Sequence, residues 1–265
     1  MTIGGLMLEI RSPISLNLPE SFRPFMAAQS GGRKDCTITV HVSGMNDYAV
    51  NEGDITRRFR LSEGECVVRT EAGGNADDVH IAIPASFAAS FARNANWLLY
   101  LAMERPLLKY GRIVVHASAV IYGGEAYLFS APSGGGKSTQ ADIWHDKRGA
   151  EILNGDKVIL RPTHGGVIAY GSPIAGSSGI YVNKSAPVRA ICMIDKAKHN
   201  RAERLDSRKA FLLLYSETVK SEWDREFNMK LLDQVGSIVN KTNLIRFSCL
   251  PDETAADYLL KYLEN

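Results

Sequence analysis

Short β-branched runs closed by glycine clusters fill the first eighty residues. "CTITVHVSG" (36–44) and "ECVVRTEAGG" (65–74) each predict a strand and a turn. From Pro84 the hydrophobic period lengthens. "ASFAASFARNANWLLYLAMERPLL" (85–108) sets Phe87, Phe91, Trp97, Leu98 and Leu101 near helical spacing. Pro106 predicts a helix end at Arg105, because proline has no N–H to continue the ladder.

In "GRIVVHASAVIYGGEAYLFSAPSGGGKST" (111–139), strand-like runs at 112–122 and 125–130 flank Gly123-Gly124. Two glycines there suit the positive φ pair of a type I′ turn, so a hairpin leads into the glycine loop. "KSTQADIWHDKR" (137–148) predicts a helix of three turns ending at Gly149, followed by strands at 150–153 and 157–160. "PVRAICMID" (187–195) predicts a buried strand, 207–240 two helices, 243–250 a strand, and a last helix starts near Pro251. The interleaving predicts an α/β or α+β core (84–265) behind a β-rich N-terminal lobe (1–83), with one continuous domain as the alternative.

Composition narrows the classes. The 265 residues are 45% hydrophobic and 23% charged with a net charge of +2, ordinary for a globular chain. No basic field points to nucleic acid, and no run reaches the ~18 apolar residues of a membrane span. Cys36, Cys66, Cys192 and Cys249 are far apart, with no CxxC pair and no zinc spacing, which suits thiols in a reducing compartment. The expectation is a cytoplasmic protein. The oligomeric state stays open, a homo-oligomer included.

The glycine loop carries the chemistry. Strand, loop, Lys137-Ser138 and helix follow the order of a phosphate-binding P-loop, G-x-x-x-x-G-K-[ST], with Ala131 at the first glycine position. Backbone N–H groups of Ser133, Gly134, Gly135 and Gly136 and the helix start at Lys137, Ser138 and Thr139 would cradle a polyphosphate. Lys137 would reach the β and γ oxygens of ATP, and the Ser138 hydroxyl would ligate Mg²⁺. Asp156, in "AEILNGD", would supply a carboxylate to the same metal if its strand lies beside the loop. The alternative is an ordinary aspartate in an Asn-Gly-Asp turn.

Together "HASAVIYGGEAYLFSAPSGGGKSTQADIW" and "RGAEILNGDKVIL" resemble the core of HPr kinase/phosphorylase and its relatives, over roughly residues 110–200. The resemblance implies a P-loop core with the phosphoenolpyruvate carboxykinase-like fold. It matches His116 to the family histidine before the hairpin turn. It also matches Gly155 and Asp156 to an Asp-Asp pair whose first member acts as base and whose second serves the metal. Gly155 cannot act as a base, so catalysis would rest on Asp156, His116 and Lys137. The whole chain is similar to HPr-kinase-related proteins associated with modified-peptide gene clusters.

Downstream, "AYGSPIAGSSGIYVNKSAPVRA" (169–190) is small and polar for a loop between strands. Gly176, Ser177 and Ser178 could approach an oxyanion and Lys184 could add charge there; a surface loop is the alternative. Arg201 and Arg204 in "KHNRAERL" read as a phosphate contact or a solvated helix face. The predicted activity is ATP- and Mg²⁺-dependent transfer of the γ-phosphoryl group to a hydroxyl, a Ser of a protein or peptide, with a small metabolite as the alternative acceptor. The rival is an ATP-binding sensor that transfers nothing.

Overall fold

The computed structural model describes residues 1–26, 34–42, 54–62, 64–70, 78–94, 96–174, 176–220 and 224–264, without the side chains of 96–101 and 177. The chain forms two compact units, Met1–Tyr110 and Gly111–Asn265, each a sheet with helices, which makes the class α+β. The division falls at 110/111, whereas the change of hydrophobic period had suggested 83/84, because the helix 96–109 packs on the strands 64–70 and 78–83.

The first unit holds β1 (Thr2–Ile3), β2 (Leu6–Arg11), β3 (Cys36–Val42), β4 (Ile55–Leu61), β5 (Gly64–Thr70) and β6 (Asp78–Ile83), with α1 (Ala88–Arg93) and α2 (Asn96–Lys109). Its strand order is β1-β2-β3-β6-β5-β4, parallel at β2–β3 and β3–β6 and antiparallel elsewhere. The ends of the two predicted strand runs, 43–44 and 71–74, lie outside the described residues, as do the side chains of Trp97, Leu98 and Leu101. Phe87 and Phe91 are buried, as their spacing suggests. One expectation fails here: α2 does not end at Arg105 but carries Pro106 inside it. Burial of Leu107 and Leu108, about 1.5–3 kcal/mol each, offsets the roughly 3 kcal/mol cost of an interior proline.

The second unit contains β7 (Ile113–His116), β8 (Ser118–Tyr122), β9 (Glu125–Ser130), α3 (Lys137–Arg148), β10 (Glu151–Asn154), β11 (Lys157–Thr163), β12 (Gly166–Tyr170), β13 (Ser185–Lys196), β14 (Arg201–Arg204), α4 (Ser207–Ser216), α5 (Arg225–Val239), β15 (Asn243–Cys249) and α6 (Glu253–Glu264). Its sheet runs β10-β8-β9-β13-β12-β11-β7, with β15 beside β13 and β14 beside β15. The long β13 pairs with β12 through residues 185–187 and then runs parallel to β9 and β15.

The predicted strand 112–122 is broken at Ala117. Its N–H turns to Val115 O and Asp156 O, so β7 and β8 go to different parts of the sheet. The hairpin β8–β9 forms as predicted, with φ of 59° at Gly123 and 82° at Gly124. α3 ends at Gly149, whose φ is 65° and whose N–H donates to His145 O. On one side of α3 the fully buried Trp144 packs against Tyr127, at 4.6 Å between ring centroids, and against Phe129; Phe247 and Leu259 of α6 belong to the same core. "KHNRAERL" forms an edge strand rather than a helix, because residues 201–204 pair with β15. All four cysteines are free and buried. Among the described residues no helix is long and apolar enough to cross a membrane.

Candidate active site

The glycine loop leaves β9 at Ser130 and enters α3 at Lys137. Gly134 and Gly136 adopt φ of 76° and 101°, the left-handed region that costs glycine least. Gly135 donates to Pro132 O at 2.9 Å, and a Cβ there would lie 2.5 Å from Ala131 Cβ and 2.9 Å from Pro132 O. Only a bare backbone closes this turn. The N-cap of α3 is Gly136, and no side chain caps it, so first-turn N–H groups stay free to meet an anion. Ser133, Ser138 and Thr139 are exposed. The Lys137 ammonium donates to Ala131 O at 2.8 Å, which leaves two of its three N–H donors for other acceptors.

The corner at residues 116–118 joins this loop to the acidic turn. Ser118 Oγ donates to Lys137 O at 2.7 Å, and Ser130 Oγ donates to His116 O at 2.8 Å. Ala117 N–H donates to Asp156 O at 3.0 Å. The acidic turn follows β10, which pairs with β8, the first arm of the hairpin, and not with β9. It reaches the loop through the corner instead of through a neighbouring strand.

Asp156 is held on both carboxylate oxygens. Oδ1 lies 2.6 Å from His116 Nε2, and Oδ2 lies 3.4 Å from Lys157 Nζ. Its backbone is fixed by Asn154, whose side chain is fully buried. Asn154 Oδ1 accepts from the N–H groups of Asp156 and Lys157, both at 2.8 Å, while Nδ2 donates to Ser172 O at 2.9 Å and Ile174 O at 3.1 Å. One amide therefore ties the acidic turn to the start of the 171–184 loop. That loop returns at Gly176, where a Cβ would lie 2.7 Å from Asp156 Cβ. On the other side of His116 stands Glu217, with Oε2 3.9 Å from Nδ1.

The Lys137 main chain and the bonded pair His116–Asp156 thus meet at one corner, and Ser138 follows Lys137 in the first turn of α3, with Ser133 to Gly136 forming the adjoining loop. The substrate candidates fare differently. Gly176 touches Asp156, whereas Ser178 Oγ accepts from Ile180 N–H in its own turn, and the Ser177 side chain lies outside the described residues. Lys184 is exposed and bonds both oxygens of Glu151 at 2.7 Å, at the opposite end of β10 from the acidic turn. Arg201 and Arg204 are exposed on β14. Reading the sequence missed Asn154, Lys157 and Glu217. The Asn-Gly-Asp run signalled a turn, but nothing local signalled that the Asn amide would also hold residues 172–174.

No protein-family model matches the chain, and no curated protein matches it. Among solved structures it is similar to the HPr(Ser) kinase/phosphatase from Coxiella burnetii, at 16% identity and a TM-score of 0.33, over 57% of this chain and 99% of that one. A superposition so loose carries no argument about mechanism.

A polyphosphate suits the donor set of the loop: left-handed glycines, a turn closed to any Cβ, an uncapped helix start and a lysine. Mg²⁺ favours hard oxygen ligands and keeps several waters; the residues that would offer it such ligands beside phosphate oxygens are Ser138, through its hydroxyl, and Asp156, through its carboxylate. Two further lone-pair positions on Asp156 remain after His116 and Lys157. No group of three or more His, Cys, Asp or Glu able to hold a metal occurs among the described residues, and the Ser138–Asp156 pair is not of that kind.

Proposed function

We propose that the second unit is a P-loop core of the phosphoenolpyruvate carboxykinase-like kind and works as a kinase. It would bind ATP with Mg²⁺ and transfer the γ-phosphoryl group to a Ser hydroxyl of a protein or peptide. One observation carries the reading: a loop that only glycine can close feeds an uncapped helix start, beside a carboxylate bonded to a histidine. ATP supplies the phosphoryl group, and Mg²⁺ offsets its charge. Lys137 and the loop N–H groups would hold phosphate oxygens, and Ser138 with Asp156 would hold the metal. The acceptor proton passes to the His116–Asp156 pair. A loose transition state asks little of a base, so the lack of a carboxylate at Gly155 does not exclude transfer.

A second reading, an ATP-binding sensor, is favoured by the engagement of both Asp156 oxygens with His116 and Lys157. Lys137→Ala tests nucleotide binding: calorimetry with Mg-ATP should show affinity falling roughly ten- to a hundred-fold, as expected for one charge-assisted contact. Unchanged affinity would refute the loop assignment. Asp156→Asn separates the two readings. A kinase loses phosphoryl transfer to Ser-containing peptides in this variant and still binds metal-free ATP, whereas a sensor has no transfer to lose.

A further inference from the structure

We infer that Glu217 is a positioning residue, whose carboxylate selects the ring orientation in which His116 Nε2 faces Asp156; its role in turnover rests on the kinase reading above. β7 is the last strand of the sheet path, and the chain leaving α4 pairs with its free side. His116 N–H donates to Glu217 O at 2.8 Å, and Val219 N–H donates to Val114 O at 2.9 Å, with Val115 opposite Thr218 in antiparallel register. Glu217 therefore stands directly opposite His116, just as Lys157 does on the other side of β7. Side chains directly opposite each other in an antiparallel pair share one face. The result is a row Lys157–His116–Glu217 across three segments, with Asp156 joined to its first two members.

The ring orientation follows from this row. With Nε2 at 2.6 Å from Asp156, Nδ1 faces Glu217 at 3.9 Å. A half-turn about Cβ–Cγ would present two C–H groups to the two carboxylates instead. At 3.9 Å no direct hydrogen bond forms, so Glu217 acts through its charge, in a site where its side chain is only 16% exposed. Its own placement is fixed by main-chain bonds: Glu217 N–H and Thr218 Oγ1 both donate to Leu214 O. A partner hydrogen-bonded to the other nitrogen of a metal-ligating histidine is worth typically about 10–100-fold in function, which sets the upper scale for a charge at 3.9 Å.

The test uses the whole 265-residue chain labelled with ¹⁵N-histidine, with His116→Gln to assign the ring signals. In Glu217→Gln and Glu217→Ala the His116 ring nitrogens should move, while Glu217→Asp, which keeps the charge, should move them less. Slow Mg-ATP hydrolysis should lose up to about 10–100-fold in kcat, with KM for ATP unchanged, since Glu217 does not touch the glycine loop. Ring signals that superimpose on wild type in both neutral variants overturn the inference, and so do moved signals with undiminished kcat. If wild-type protein binds no Mg-ATP, the kinase reading falls, and the ring signals alone decide the role of Glu217.

Discussion

Asn154→Ala removes the clamp between the acidic turn and the 171–184 loop. Four hydrogen bonds of 2.8–3.1 Å disappear, two accepted from Asp156 and Lys157 N–H and two donated to Ser172 and Ile174 carbonyls, together with a longer one of 3.4 Å from Nδ2 to Ser172 Oγ. At about 1 kcal/mol net per bond the loss is about 4 kcal/mol. Orphaned N–H groups would raise that figure, but Asp156 and Lys157 are only half-buried, so water can reach them and hold the cost near about 3–5 kcal/mol. The melting temperature of the second unit should drop by about 10 °C, given roughly 2–4 °C per kcal/mol in domains of this size. Asn154→Asp is no milder: it keeps the accepted bonds, loses the donated ones and buries a carboxylate close to Asp156. Urea and thermal unfolding followed by circular dichroism measure both variants. A loss below about 1 kcal/mol in Asn154→Ala would show that the amide does not hold the turn.

Gly135→Ala should weaken Mg-ATP binding and also lower the melting temperature, because its Cβ collides with the buried Ala131 and with the Pro132 carbonyl oxygen, so the turn must shift; calorimetry beside a melting curve checks both halves. Gly176→Ala places a Cβ 2.7 Å from Asp156 Cβ at a φ of 55°, so Asp156 must shift. Its stability should fall by about 1–3 kcal/mol and phosphoryl transfer should fall with it. In the first unit, His41 Nε2 lies 3.0 Å from His80 Nδ1, and burial first, then the charges of His80 and Arg69, hold the His41 pKa below its ordinary 6.5. The unfolded chain then binds more protons than the folded one as pH falls through 6.5, so stability drops on acidification. Hydrogen exchange of β3 amides between pH 7.5 and 5.5 should accelerate beyond its intrinsic pH trend, and His41→Asn should flatten the effect.

The features legible in the sequence are those encoded within a few residues. The Gly123-Gly124 turn, the glycine loop and α3 with its stop at Gly149 each follow from local φ demands and local spacing. Pro106 misled because a proline's cost is local, whereas Leu107 and Leu108 recover it from tertiary burial. "KHNRAERL" misled because its pairing partner, β15, lies some forty residues away. The row Lys157–His116–Glu217 depends on strand register across β11, β7 and the segment after α4, and no local pattern states register. His116 and Asp156 were nominated by spacing and resemblance, but the bond between them is a product of the corner at Ala117.

That corner also bears on how the chain folds. Residues 116–118 take hydrogen-bond partners from Ser130, Lys137, Asp156 and Glu217, the last about a hundred residues further along the chain. Each contact closes a longer loop than the one before it, and loop closure must precede its reward. The hairpin and α3 can form early from local contacts, whereas the corner is complete only after α4 has delivered Glu217. A nascent chain still missing residues beyond about 216 can display a finished glycine loop and yet lack the Glu217 side of the histidine. On the proposed kinase reading, nucleotide capture and the full acid–base constellation would then arise at separate moments of biosynthesis, the first well before the second.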